Sequence, residues 1–184
     1  MKTPLTLPIN EYFHLRQTVP ADAEETFALI DRNRAHLREW LPWVDGVLSV
    51  ENSRENLQSI QDDPQSTPEF VLVYHDKIVG RLGIHQIDQA NRNTSIGYWL
   101  DEGSQGMGLM TMAVEALLKY IFGTLNLNRC VLMVGVENLA SRALAERLGF
   151  QYEGAARQGE WLHDRYHDLA VYALLLSDWR VSNR

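Results

Sequence analysis

The sequence predicts a mixed α/β domain built around one sheet. Three observations carry that reading. The runs EFVLVYH, KIVGRLGIHQID and TSIGYWLD follow one another with only short turns between them, the mark of an antiparallel meander. The last run leads into an apolar-periodic helix and then into RCVLMVGVE. A strand, a helix and a strand in succession over residues 94–136 require a crossover, so those two strands lie parallel or nearly so. Extended and helical patterns alternate along the chain with no linker, repeat or low-complexity tract. Residues 1–184 therefore read as a single domain, long enough for a sizeable core.

The elements follow in order. EYFHLRQT reads as a first strand. ADAEETFALIDRNRAHLREWL reads as one helix, with Phe27, Ile30, Leu37 and Leu41 near one face and Pro42 as its end. SRENLQSIQDD reads as a second helix stopped near Pro64, with Pro68 in the loop beyond. The meander turns fall at Asp76-Lys77 and Asn91-Arg92-Asn93. A stripe of Met110, Val114, Leu117 and Ile121 predicts a helix from about Leu109 to Phe122. RCVLMVGVE is almost continuously apolar, as a strand covered on both faces would be. In NLASRALAERLG, Asn138 is placed to cap a helix that Gly149 ends. FQYEG opens another extended segment, and the alternating YHDLAVYALLL predicts a last strand.

Composition narrows the function. The formal net charge is −7, which argues against nucleic acid as a partner, since such a binder shows a basic face. It suits a cationic acceptor, and equally a plain solubility charge. MKTPLTLPIN lacks the apolar core of a secretory signal. No run approaches the roughly 20 apolar residues that span a bilayer, so no membrane partner is expected. The single cysteine, Cys130, excludes an internal disulfide and lies in an apolar run, where it reads as an inert buried thiol. A cytoplasmic protein fits these features.

The loop GSQGMGLMT, residues 103–111, joins a strand to a helix. A helix entrance exposes backbone N–H groups with no intrahelical acceptor, and the helix dipole adds partial positive charge there, so it suits an anion. Gly106 and Gly108 let the backbone approach a ligand closely. Phosphate is the natural ligand, yet no lysine follows as a P-loop requires, and Thr111 stands where a dinucleotide fingerprint needs its third glycine. A tight turn with no ligand explains the loop equally well by itself.

The segment IGYWLDEGSQGMGLMTMAVEALLKYIF resembles motif A of the GNAT N-acetyltransferases, read here as Gln105-Gly106-Met107-Gly108-Leu109-Met110, with Met110 where the family prefers a small residue. ENLASRALAERLGF resembles motif B. GEWLHDRYHDLAVYALLLSDW and HLREWLPW are similar to the RimJ/RimL branch, which acetylates ribosomal-protein N-termini. The resemblance covers nearly the whole chain, with its motifs in the family's order. It implies a mostly antiparallel, twisted sheet with helices on both faces and strands splayed at an acetyl-CoA cleft. It implies acetyl-CoA as donor, no metal, and a homodimer. The diphosphate would rest on the N–H groups of residues 106–111. The pantetheine arm would run along Tyr98, Trp99 and Leu100 as an added strand, with Asn138 touching it from the other side.

Acetyl transfer to an amine needs a base, because a free α-amine has a pKa of roughly 7.7–8.0 and a lysine roughly 10.4. It also needs donors for the thioester oxygen and a proton for the leaving thiolate. The RimL-like pattern puts its catalytic carboxylate at Glu160; a solvated loop carboxylate is the plainer reading. Many GNAT members carry a tyrosine acid four residues before Gly149-Phe150, but Ala145 stands there. Ser141 is the remaining hydroxyl, either a thiolate acid or a helix-start serine bonded to backbone. Trp40, Trp43 and Trp161 are candidates for the acceptor wall, and Arg142 and Arg147 for CoA phosphates. His163 and His167 would lie about 13 Å apart on an extended segment, so a metal site is not expected. The leading function is acetylation of a protein α-amine. A small amine such as a polyamine or antibiotic, or an acetyl-CoA-binding regulator without turnover, stands as the alternative.

Overall fold

Eight extended runs pair into one mixed sheet in the order β1-β2-β3-β4-β5-β6-β8-β7. The computed structural model describes residues 3–63 and 65–182; the stop expected at Pro64 lies outside them. The strands are β1 (Thr6–Pro8), β2 (Phe13–Gln17), β3 (Glu69–Tyr74), β4 (Lys77–Asp88), β5 (Asn93–Leu100), β6 (Arg129–Gly135), β7 (Gln151–Leu162) and β8 (Arg165–Leu175). The helices are α1 (Ala23–Arg32), α2 (Arg34–Arg38), α3 (Val50–Asp62), α4 (Leu109–Lys119), α5 (Leu139–Arg147) and α6 (Leu176–Ser182). β5 and β6 run parallel, Asn93–Ile96 against Arg129–Leu132, as the crossover requires. The β1–β2, β2–β3, β3–β4, β6–β8 and β7–β8 pairs are antiparallel.

Contacts divide the chain into two compact units. The first holds the residues up to Gly83 together with Tyr98–Ala116. Its core joins Leu29, Ile30, Leu37 and Val44 to Val71, Val73, Ile78 and Trp99, so α1 and α2 bury their apolar stripe against β3, β4 and β5. The helix expected over residues 21–41 is broken at Asn33, whose φ of −103° and ψ of 9° interrupt it. Asparagine is a poor interior helix former because its side chain offers the backbone competing hydrogen bonds. The first hairpin turns at His75 and Asp76, both at positive φ, one residue before the expected Asp76-Lys77. α3 starts earlier than expected, capped by Ser49 Oγ accepting Asn52 N–H at 3.2 Å.

β4 and β5 approach closely at Gly80, where an added Cβ would lie 2.4 Å from the Trp99 carbonyl oxygen. Gly80→Ala is expected to cost about 1–3 kcal/mol, the usual range for overpacking, and to lower Tm by several degrees in a thermal melt. An unchanged Tm would contradict this approach of the strands.

The second unit holds Ile84–Gly97 and the chain from Leu117 on. Cys130, Leu132, Leu144, Phe150, Tyr172 and Leu174 form part of its buried interior. Burial pushes the Cys130 thiol well above the ordinary thiol range, so it stays protonated and inert. β6 was expected to be covered on both faces, but its burial alternates, and Met133 is 46% exposed. Periodicity cannot reveal this, because the outward positions also carry apolar residues. Asn138 caps α5, its Oδ1 accepting Ser141 N–H at 3.1 Å, and Gly149 follows the helix at φ 84°. The short β1 and α6 had no counterpart in the sequence reading. Among the described residues, no helix is long and apolar enough to cross a membrane.

Candidate active site

In the first unit, the glycine loop leaves β5 through a tight turn, Glu102–Ser104, and enters α4 at Leu109. Gly106 and Gly108 have φ of 74° and 75°, and a Cβ on either would meet nothing within 4 Å. The backbone is thus left-handed at both positions, where L side chains are disfavoured, and the space above it is open. Among the described residues, the N–H groups of residues 106–110 have no acceptor within the protein, while Met112 N–H begins the helix by donating to Gly108 O at 3.1 Å. Amides with no protein acceptor at a helix entrance form an arrangement that fits a diphosphate. Gln105 and Met107 are exposed; Leu109 and Met110 are buried. Met110 therefore turns its side chain inward and leaves its N–H at the helix start. Gln105 Nε2 lies 2.8 Å from His36 Nε2.

Tyr98 and Leu100 are half-buried, whereas Trp99 is 8% exposed and belongs to the core. Only the backbone at Trp99 is thus available to an extended ligand. The Trp99 ring lies 6.2 Å from that of Trp43, which is 40% exposed and sits on the turn after Pro42; Trp40 is half-buried.

In the second unit, Asn138 and Ser141 meet through the cap at α5. Ser141 is half-buried, and among the described residues its hydroxyl has no hydrogen-bond partner. It is not the capping serine, since Asn138 supplies the cap. Arg142 is engaged elsewhere, donating to Tyr172 Oη at 3.1 Å and to Val136 O at 2.9 Å. It anchors α5 rather than standing free for phosphate. Glu160 lies on β7 opposite His167 of β8. Burial raises its carboxyl pKa above the ordinary range, and the nearby His167 pulls it part of the way back. Glu160 and Ser141 share no hydrogen bond among the described residues. Trp161 is 55% exposed and stacks edgewise on Tyr166 at 4.7 Å. Among the described residues, no group of three or more His, Cys, Asp or Glu is arranged to hold a metal.

Sequence reasoning missed two supports of these positions. Asp168 Oδ1 accepts Gln158 N–H at 2.8 Å, and Asp168 O accepts Val136 N–H at 3.1 Å. Arg157, Gln158 and Gly159 stand opposite Asp168 alone, a bulge that re-aims β7 just before Glu160. The second support is Asn33, whose signal was present: a poor helix former midway along an apolar-periodic run.

The model of the acetyltransferase (GNAT) domain matches residues 13–151. The chain is 36% identical over 177 residues to a putative ribosomal N-acetyltransferase of Bacillus subtilis, covering 95% of this chain and 97% of that one. It is 30% identical over 173 residues to the ribosomal-protein-serine acetyltransferase of Escherichia coli, covering 93% and 97%. Among solved structures it is similar to RimL, a ribosomal L7/L12 α-N-protein acetyltransferase in complex with coenzyme A. That likeness has a TM-score of 0.89 at 29% identity, over 95% of this chain and 99% of the other. The free amides and open glycines of the loop, the parallel β5–β6 pair and these likenesses agree: the chain belongs to the GNAT acetyltransferase family and is an acetyl-CoA-dependent N-acetyltransferase.

Proposed function

We propose that this enzyme acetylates the N-terminal α-amine of a protein, such as a ribosomal protein, by direct attack within a ternary complex. The observation that carries the reading is the loop of five unengaged amides beneath two open glycines, in a chain similar along its length to a ribosomal-protein-serine acetyltransferase. The amides of Gly106–Met110, with Thr111, hold the CoA diphosphate, flanked by Gln105. The arm lies along the backbone of Tyr98, Trp99 and Leu100, and Asn138 contacts it. Trp40, Trp43 and Trp161 wall the acceptor. The net charge of −7 supports a basic acceptor. The enzyme works in the cytoplasm as a homodimer.

In the reaction, Glu160 takes a proton from the α-ammonium. The amine lone pair then forms a bond to the thioester carbon, backbone N–H groups hold the developing oxyanion, and the C–S bond breaks with its electron pair on sulfur. As the adduct collapses, its nitrogen gives up its second proton to become the amide; Ser141 gives its own proton to the thiolate and is replenished, through solvent, by the one the nitrogen releases. Ser141→Ala is expected to lower kcat by about tenfold or more and to leave the Kd for CoA within about twofold. Equal losses in both, or neither, would reject the role.

The deciding experiment is a thiol-release screen over peptides with different first residues, spermidine and an aminoglycoside. Release with a peptide supports the reading. Release only with a small amine moves the acceptor class. Binding of acetyl-CoA with no release in any arm points to a regulator.

A further inference from the structure

The chain enters the glycine loop through a turn that is held by a side chain far away in sequence. Asn33 sits where α1 gives way to α2 and is 4% exposed. Its amide is fully used. Nδ2 donates to Leu29 O and to Asp101 Oδ1, both at 2.8 Å, and Oδ1 accepts Glu102 N–H at 3.0 Å. The first bond occupies a carbonyl that the helix break leaves vacant, because Asn33 N–H turns to Ile30 O at 3.1 Å. The other two cross to the segment that follows β5.

Asp101 completes the knot. Its carboxylate also accepts Ser104 Oγ–H at 2.9 Å and the Arg32 guanidinium at 3.3 Å, and its N–H donates to Val79 O at 2.8 Å. Burial by itself would raise the Asp101 carboxyl pKa. The bonds from Asn33 and Ser104 and the Arg32 charge outweigh it and hold the group below the usual carboxylate range. Asp101 is therefore ionised and accepts only. The turn is closed by Ser104 N–H to Asp101 O at 3.0 Å and Gln105 N–H to Glu102 O at 3.2 Å. Gly106 comes next. Two glycines at positive φ give the loop no stiffness of their own, so its direction is set by what is fixed before it.

We propose that Asn33, together with Asp101, is a positioning pair for acetyl-CoA: it clamps the Glu102–Ser104 turn and thereby aims the N–H groups of residues 106–110 at the diphosphate. This rests on the reading of the loop as the CoA site. A satisfied buried amide is worth most where it fixes one arrangement, and here that arrangement is the approach to the binding amides.

The test is calorimetric titration of the full chain with CoA, alongside thermal melts and the acceptor KM. Asp101→Ala removes the shared acceptor and is expected to weaken CoA by about tenfold or more, with the acceptor KM within about twofold. Asn33→Asp keeps the shape, deletes both donors and sets two carboxylates face to face; it is expected to weaken CoA to a similar degree. Asp101→Asn retains an oxygen for Asn33 and an amide for Ser104 Oγ, and is expected to recover most of the affinity. If Asn33→Asp does not fold, Ser104→Ala decides: a few-fold weaker Kd supports the clamp, and an unchanged Kd overturns it. A folded Asp101→Ala or Asn33→Asp with the wild-type Kd overturns it. So does an Asp101→Asn protein as impaired as Asp101→Ala, or an acceptor KM that rises in step. Failure of the wild-type protein to bind CoA would instead overturn the assignment of the loop itself.

Discussion

Glu160→Gln is expected to lower kcat by roughly 10²–10⁴-fold near neutral pH, the usual contribution of a positioned base. An α-amine of pKa about 7.7–8.0 is largely ammonium there and must lose a proton before it can attack. The carboxyl pKa of Glu160 is raised by burial, with His167 opposing. As pH falls, the base is therefore lost earlier than an ordinary carboxylate would be. As pH rises past the amine pKa, the substrate deprotonates unaided and the defect shrinks. The loss should thus be greatest between the Glu160 pKa and the amine pKa, and should shrink on both the acid and the alkaline side of that window. Stability should move the other way. A carboxyl with a raised folded-state pKa stabilises the fold at low pH, and that contribution is lost as pH rises through the folded pKa. Removing the buried charge should leave Tm at pH 8 equal to or above that of the wild type. A pH–rate profile with parallel curves for both proteins would sink the base assignment, as would a variant that is slow only because it is unstable.

Gly108→Val is expected to weaken CoA by on the order of 100-fold while the protein stays folded. The left-handed backbone at φ 75° costs an L-residue about 1–2 kcal/mol, more for a β-branched one. Relaxing that strain turns the neighbouring amides away. Losing two bonds to a charged group, at about 1.5–3 kcal/mol each, corresponds to about two decades of Kd or more. An added Cβ would meet nothing within 4 Å, so the stability cost is the backbone strain, and Tm should fall by roughly 2–8 °C. Calorimetry that finds CoA bound within twofold of the wild type would show that the diphosphate sits elsewhere.

Much of this fold could be read from residues alone. The three-strand meander, the crossover helix stripe at Met110, Val114, Leu117 and Ile121, and the Asn138 cap are local patterns, and each is set by a period or by a single side chain. The break at Asn33 had a signal, a poor helix former midway along the run, but the apolar stripe continues through it from Ile30 to Leu37 and masks it. The bulge before Glu160 was not readable, since its cause is Asp168 on the next strand.

By itself, then, the sequence determined the chemistry on offer: a glycine-opened helix entrance, a carboxylate on the last hairpin, and a family pattern tying both to an acetyl thioester. Tertiary structure alone decided what each side chain is free to do. It drew the Trp99 ring into the core, engaged Arg142 with Tyr172, left Met133 outward, and locked the loop's approach through an asparagine 68 residues from its aspartate partner. The physical reason is range. Periodicity and capping act within a few residues, whereas burial and hydrogen-bond satisfaction depend on partners that only folding brings near.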